Sequence, residues 1–374
     1  MSTHDYDLAV IGAGFAGLAC ARAAARRGLR VLVQDRKAEP GAQVHTTGLV
    51  VKEAAERWEI PATLTRRVRG VRLYAPSLAT LDLASPGYYF LATDTPALMR
   101  WLAREACRAG AHVRFARRYH GAARTRDGFV LNGGGERVRW LVGADGPRSA
   151  VAREFGLGRN REFLAGAESE WRGVAGVDPE RLHCFLDARL APGYIGWVVA
   201  GHGGFFQVGL AARRPATPDL AAFERKVAAL FDFGAATRVA RRGGPIPVGG
   251  RVAPFAAPGV VLVGDAAGLV SPLSAGGIHT ALDSGFAAAH AIADHLLAGA
   301  RAPSQALAGA GPRFTAKRWL RAAFDIGIPD AVFDAAIGTR AFNALARSVY
   351  FHHRGLRSLD GWRDLAHTLR HGAP

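Results

Sequence analysis

The chain is 374 residues long, carries a formal charge of +17 and is 49% hydrophobic. That length and composition suit one or two globular domains and exclude a disordered chain. Nearly all the positive charge is arginine, since lysine occurs only at Lys37, Lys52, Lys226 and Lys317. No nucleic-acid module accompanies it, so no nucleic-acid partner is expected. A generally basic surface and attraction to phosphates or an anionic membrane both stay open.

The first elements form one pattern. Tyr6 to Ile11 reads as a buried strand, followed at once by Gly12-Ala13-Gly14-Phe15-Ala16-Gly17. Leu18 to Arg27 reads as a helix ended by Gly28. Arg30 to Val33 reads as a second strand, with Asp35 and Arg36 just past it. This is the dinucleotide fingerprint in its required context. Gly12 permits the tight turn, Gly14 lets the backbone approach a pyrophosphate, and Gly17 lets the helix pack closely on the strand. The helix N-terminus offers free N–H groups to phosphates, and Asp35 accepts from a ribose diol. The motif alone leaves FAD and NAD open. The apolar stretch from Leu8 to Ala21 lacks a basic flank and is too short to span a bilayer, so neither a signal peptide nor a membrane helix is expected.

Val71 to Leu83 and Tyr88 to Leu91 alternate as strands do. Val138 to Val142 is a strand leading into Gly143-Ala144-Asp145-Gly146, which alone reads as a turn. His183 to Asp187, Tyr194 to Val199 and Phe205 to Ala211 continue the strand character, and Ala221 to Phe231 reads as a helix. Val260 to Val263 leads into Gly264-Asp265-Ala266-Ala267-Gly268, then Pro272-Leu273-Ser274-Ala275-Gly276-Gly277-Ile278 and a helix over His279 to Leu297. Helices are expected over Arg313 to Phe324, Asp330 to Val349 and Leu359 to Leu369. The first of these is basic and aromatic. It reads as a cap on the core or as an amphipathic surface resting on a membrane. Cys20, Cys107 and Cys184 form no CxxC pair and no metal-ligating set. Cys20 and Cys107 fall in apolar helical patterns, which predicts buried thiols and fits a reducing cytoplasm.

Together, the glycine fingerprint, the Gly143–Ser149 segment and the Gly264–Ile278 segment resemble the three flavin motifs of the superfamily of p-hydroxybenzoate hydroxylase and the geranylgeranyl reductases. The resemblance covers about residues 5–300 and implies non-covalent FAD. It implies that Asp265 bonds the ribityl chain and that Pro272 runs along the ring. It also implies that the N–H groups of Gly276, Gly277 and Ile278 meet the flavin N1/O2 edge, with Asp145 and Gly146 near the pyrophosphate. Many relatives carry an arginine where Thr95 stands here, and Arg100 is either its substitute or a surface residue. No second glycine-rich unit for a resident NADPH is found, so NADPH or another donor would bind transiently.

The run Pro192-Gly193-Tyr194-Ile195-Gly196-Trp197 resembles part of the geranylgeranyl reductase signature, with one extra residue between Tyr194 and Trp197 and no closing Phe-Pro. Tyr194 and Trp197 are therefore candidates for the substrate pocket, or ordinary sheet aromatics. His45, in the Gly41–Gly48 loop where relatives often carry a cysteine, is either a proton donor or a surface residue. No catalytic residue is singled out. The expected fold is α/β. A Rossmann-type FAD domain (residues 1–70, 92–160, 250–300) joins a mixed, mainly antiparallel substrate domain (71–91, 161–249) and a helical C-terminus (301–374). The expected function is FAD-dependent reduction of C=C bonds in an isoprenoid or other apolar substrate. An aromatic monooxygenase and a non-catalytic redox sensor are the alternatives. The expected setting is the cytoplasm, with peripheral membrane contact.

Overall fold

The computed structural model describes residues 4–351, so the expected helix over Leu359 to Leu369 lies outside the described residues. The chain separates into two compact units. The first takes in the chain through Val44, with Thr95–Phe163 and Ile246–Arg318. The second holds His45–Asp94, Leu164–Pro245 and the chain from Trp319 on.

The first unit is built on a mainly parallel sheet. Its order is Ala256–Ala257, Val260–Leu262, Arg137–Gly143, Tyr6–Ile11, Val31–Gln34, His112–Arg114, with Phe129–Leu131 and Ala122–Arg124 branching off. Pairing is parallel from Val260–Leu262 through to His112–Arg114. Leu8, Ala9 and Val10 have no exposed surface, as expected of a strand covered on both faces. Alanine-rich Phe15–Arg26 favours helix by propensity. It stops at Gly28, whose φ of +84° few other residues adopt without strain. Helix Ile278–Ala298 lies against it with almost no gap. A Cβ at Gly285 would fall 2.1 Å from the Ala16 carbonyl oxygen.

The second unit holds a seven-stranded sheet ordered Thr237–Pro247, Phe163–Arg172, Phe205–Arg213, Gly196–Ala200, Arg181–Phe185, Gly70–Tyr74, Thr80–Ala84. Arg181–Phe185 and Gly70–Tyr74 pair in parallel, while Phe163–Arg172 with Phe205–Arg213, Phe205–Arg213 with Gly196–Ala200, Gly196–Ala200 with Arg181–Phe185, and Gly70–Tyr74 with Thr80–Ala84 are antiparallel. Val198, Val208 and Leu210 point to one face, where Phe223 of helix Leu220–Val227 packs on them. Leu73, Cys184, Trp197 and Val199 point to the other, under Ile337, Ala346 and Phe351 from the C-terminal helical region. A small antiparallel sheet of Leu49–Val51, Phe90–Thr93 and Thr65–Val68 adds Val68 and Phe90 to that second cluster.

Several expectations need correction. The expected single strand over Val71 to Leu83 is a hairpin, because Ala75 N–H bonds Ala79 O at 2.9 Å and Leu78 takes a φ of +68°. Tyr194 precedes its strand, which begins at Gly196, since its N–H closes a turn on Ala191 O at 2.9 Å. Asp330 to Val349 is two helices, Asp330–Ala336 and Arg340–Phe351. Cys107 is exposed, since helix Thr95–Arg108 buries Leu98, Leu102 and Ala106 on a different face, while Cys20 is buried as expected.

Candidate active site

The three glycine-rich segments occupy carboxyl ends of adjacent parallel strands in the first unit, the usual ligand position in such sheets. In the first segment, Gly12 has a φ of +106°, and a Cβ there would lie 2.3 Å from the Ala144 carbonyl oxygen. A Cβ at Gly17 would lie 1.9 Å from Gly12 O, which enforces close helix–strand packing. Gly14 faces open space, with nothing within 4 Å of its Cβ position, so a ligand can reach the backbone there. Ala13 lies between the first two glycines, and Phe15 and Ala16 open the helix with its unsatisfied N–H groups. Asp35 accepts from Ala13 N–H at 2.7 Å and Lys37 N–H at 2.8 Å. An ionised carboxylate takes about four hydrogen bonds, so capacity is left for a ligand hydroxyl. Arg36 is exposed.

In the second segment, Asp145 caps the short Ala150–Glu154 helix, accepting from Ala150 N–H at 2.6 Å and Val151 N–H at 3.1 Å. Its other oxygen, Oδ1, is buried and has no hydrogen-bond partner among the described residues. Burial pushes the Asp145 carboxyl above its ordinary range, against the pull of these hydrogen bonds. Gly146 turns the loop with a φ of +83°. Asn160 was invisible as a site residue. Its Nδ2 donates to Pro147 O at 3.1 Å and to Asp265 O at 2.8 Å, so it ties the second segment to the third. No motif surrounds it, so nothing local marked it.

In the third segment, Gly264 opens a 3₁₀ turn through Ala267. Burial pushes the Asp265 carboxyl up to about 6. A Cβ at Gly277 would lie 3.5 Å from Asp265 Oδ1, so this carboxylate sits beside the start of helix Ile278–Ala298. Pro272 is buried in the loop between. That loop closes on itself through Ser271 N–H to Gly276 O at 3.0 Å and Ala275 N–H to Ser271 O at 2.9 Å. Thr280 donates to Gly277 O at 3.0 Å and to Leu269 O. The first N–H groups of the helix, at and after Ile278, have no acceptor within it and carry its positive end. The structure thus groups Asp265 with Gly277 and Ile278, and Gly12 with Gly17 and Asp145.

In the second unit, strand register aligns Glu168, Gly209, Trp197, Cys184, Leu73 and Leu81 in one row across the sheet. Gly209 leaves a gap in that row, and a Cβ there would lie 2.6 Å from Trp197 Cζ2. The indole fills the gap and its Nε1–H donates to Glu168 Oε2 at 2.7 Å. Glu168, only 5% exposed, also accepts from Thr47 Oγ1 at 2.5 Å and Arg242 Nε at 2.6 Å. Arg242 reaches Glu170 at 2.8 Å. Tyr194 is near Cys184 and Arg321, and burial raises its phenol well above the ordinary range. Burial likewise pushes the Cys184 thiol up to about 12, and Tyr350 hydrogen-bonds it. The row therefore runs from an ionic cluster at Glu168 to apolar Leu73. Trp197 and Tyr194 stand in a recognisable local run, whereas nothing in the sequence around Glu168, Arg242 and Tyr350 marks them as site residues. Their partners lie on other strands or on a distant helix.

Three further candidates resolve simply. Thr95 is buried, Arg100 is exposed, and His45 is exposed near Gly244. In helix Thr315–Asp325, Arg321 is buried, bound to Asp325 and to the Gly193 carbonyl, while Trp319 is 77% exposed. Among the described residues, no helix is long and apolar enough to cross a membrane.

The family description of an FAD binding domain matches residues 5–308. Digeranylgeranylglycerophospholipid reductase 1 of Methanothermobacter thermautotrophicus is 30% identical over 312 residues, 76% of each chain. The digeranylgeranylglycerophospholipid reductase of Methanosarcina acetivorans is 31% identical over 317 residues, covering 79% of this chain and 76% of that one. Among solved structures, a geranylgeranyl bacteriochlorophyll reductase-like protein from Thermoplasma acidophilum superposes with a TM-score of 0.80 at 22% identity, covering 96% of this chain and 99% of that one. The halogenase PltM, solved with FAD, superposes with a TM-score of 0.72 at 13% identity, covering 92% of this chain and 81% of that one. At these identities the solved structures share the fold, which serves more than one chemistry.

Proposed function

This chain belongs to the FAD-binding flavoprotein oxidoreductases and, among them, to the family of the digeranylgeranylglycerophospholipid reductases; from that premise we propose that it reduces C=C bonds in the isoprenoid chains of a lipid. The observation that carries the substrate class is the identity of 31% sustained over 79% of the chain with such a reductase. Trp197 supports it, since a flat indole that is only partly buried suits a hydrocarbon chain, while Cys184 and Leu73 beside it are packed under the C-terminal helices.

The first unit's residues fit the flavin dinucleotide. Gly14 leaves open space at a helix N-terminus, and Asp145 keeps a buried, unpartnered oxygen beside it in the fold. In this reading Gly12 to Gly17 and the start of helix Phe15–Arg26 hold the pyrophosphate, with Asp145 and Gly146 beside them. Asp35 holds the ribose diol, Asp265 holds the ribityl hydroxyls, and Pro272 lines the ring. The N–H groups of Gly276, Gly277 and Ile278 meet the ring's N1/O2 edge, where the positive end of a 21-residue helix favours negative charge. FAD, once reduced by NADPH or another transient donor, supplies the hydride for such a reduction. Burial raises the phenols of Tyr194 and Tyr350, so both stay neutral even in alkaline solution. They contribute apolar surface and keep water out.

A lipid substrate also accounts for the outer face of the C-terminal region. Trp319, on helix Thr315–Asp325, is 77% exposed, and Ile326, just past the end of that helix, is 88% exposed. Such aromatic and aliphatic side chains insert at a membrane surface, so contact there is peripheral. The decisive experiment reduces the flavin chemically without oxygen and adds a geranylgeranyl lipid. The expected product is heavier by two hydrogens for each bond reduced, with re-oxidation of the flavin. Oxygen-dependent hydroxylation of an aromatic, with no polyprenyl compound reduced, would overturn the proposal.

A further inference from the structure

Arg347 is the unusual residue of the second unit. It is only 8% exposed, and its Nε is buried with no hydrogen-bond partner. That N–H is left without an acceptor among the described residues. A buried donor left without a partner costs free energy, and on a guanidinium an arriving anion is the acceptor that removes the cost. One turn earlier on helix Arg340–Phe351 stands Asn343, whose Oδ1 is likewise buried and unpartnered.

The placement of these two groups is specific. Asn343, Arg347 and Tyr350 are spaced i, i+4, i+7 and share one stripe of the helix. Ala344, Ala346 and Phe351, all buried, flank that stripe on both sides. Polar residues thus occupy the middle of a buried face, where apolar ones would pack without cost. Tyr350, at the end of the stripe, hydrogen-bonds Cys184. Cys184 is the register partner of both Trp197 and Leu73. The unsatisfied polar groups are therefore on the same helix stripe as a residue that touches the aromatic row.

We propose that Arg347 and Asn343 form a phosphate-binding subsite that holds the phosphate group of an isoprenoid lipid. This rests on the lipid-reductase reading for the lipid, and on the two unpartnered side chains for the anion. A planar guanidinium matches a phosphate with two parallel hydrogen bonds, which an ammonium cannot do. The Asn343 amide has two N–H donors as well as the orphaned oxygen, and it suits an ester or glycerol hydroxyl beside the phosphate.

The test is calorimetric binding to the FAD-loaded, oxidised protein, with geranylgeranyl monophosphate, geranylgeraniol and inorganic phosphate as ligands. The native protein is expected to bind the phosphate ester at least about tenfold more tightly than the alcohol. Arg347→Gln is expected to abolish that preference while leaving alcohol binding unchanged, and Arg347→Lys to restore it in part. If Arg347→Gln does not fold, Asn343→Asp, which places a carboxylate one turn from the guanidinium, is expected to remove the same preference. A preference that survives these substitutions overturns the subsite. Binding of inorganic phosphate with no gain for the ester over the alcohol overturns the assignment to a lipid. The same two isoprenoids are then given to the chemically reduced, FAD-loaded protein without oxygen: if neither is reduced but the Arg347-dependent preference is present, the subsite stands and the reductase reading falls. If both are reduced and Arg347→Gln changes nothing, the reverse holds.

Discussion

Trp197 and Glu168 lie two strands apart, yet they are joined by a 2.7 Å hydrogen bond, because the strand between them carries Gly209 at the register position where any side chain would block the indole. A glycine within a strand normally weakens it. Here it lets one aromatic ring cross the row and anchor on a buried carboxylate. The consequence is an oriented indole, held at its polar edge, at the boundary between the Arg242 ion cluster and the apolar cluster around Leu73.

Gly209→Val should therefore displace the indole. A Cβ would already lie 2.6 Å from Trp197 Cζ2, and the valine methyls add to the overlap. The expected cost is about 1–3 kcal/mol, the range for overpacking. Near-ultraviolet circular dichroism should change shape at the tryptophan bands. An unchanged spectrum with native stability would mean the indole lies elsewhere.

Glu168→Ala should be worse than Glu168→Gln. Alanine strips Thr47, Trp197 and Arg242 of a shared acceptor and leaves the Arg242 guanidinium only Glu170. The expected loss is about 3 kcal/mol, as for breaking a buried ion pair. Glutamine keeps a carbonyl oxygen for the indole and should lose less. Denaturant unfolding measures both, and equal losses would contradict the ionic part of the account.

Asp265 sets a pH dependence in the FAD-free protein. Its folded-state pKa, about 6, lies above its ordinary value of 3.8, so the fold favours the protonated form. Its stabilising contribution is full below about pH 4 and is lost as pH rises through about 6. Asp265→Asn stays neutral throughout. At pH 8 the FAD-free variant should exceed the native chain by up to about 3 kcal/mol, and the gap should close at pH 4. Unfolding curves at the two pH values decide it, and a gap independent of pH refutes the burial argument. The same variant should bind FAD more weakly, which would show that the carboxylate is retained for the cofactor at a cost in stability.

Asn160→Leu should loosen the FAD unit without touching a glycine motif. It removes donors to Pro147 O and Asp265 O, each worth about 1 kcal/mol net. The melting temperature should fall and FAD should dissociate more readily, measured by the recovery of flavin fluorescence. Retention of FAD at native affinity would show that the two loops hold their places independently.

Trp319→Ala combined with Ile326→Ala should reduce sedimentation with anionic lipid vesicles by about tenfold or more, since both side chains are largely exposed and apolar. Reduction of a detergent-dispersed substrate should be unaffected. Equal vesicle binding by both proteins would remove this face from the membrane account.

The three flavin motifs could be read from the sequence because each is local. A strand, a glycine turn and a helix start follow one another within about 20 residues, and the turn geometry admits few residue types. Gly17 and Asp35 illustrate this, since each one's nearest partner lies in the same short unit, whereas the space at Gly12 is closed by Ala144, far along the chain. Glu168, Asn160 and Arg347 could not be found that way. Glu168 becomes a site residue only when register sets it beside Gly209 and Trp197, and Asn160 only when two loops converge on its amide. Arg347 looks like any helix arginine until packing buries it without a partner. Cys107 errs in the opposite sense, since an apolar pattern suggested burial and the helix face it occupies is exposed. Local spacing determines backbone conformation, and therefore where a dinucleotide can bind. Burial and cross-strand neighbours depend on contacts between residues far apart in the chain, and only the folded sheet decides them.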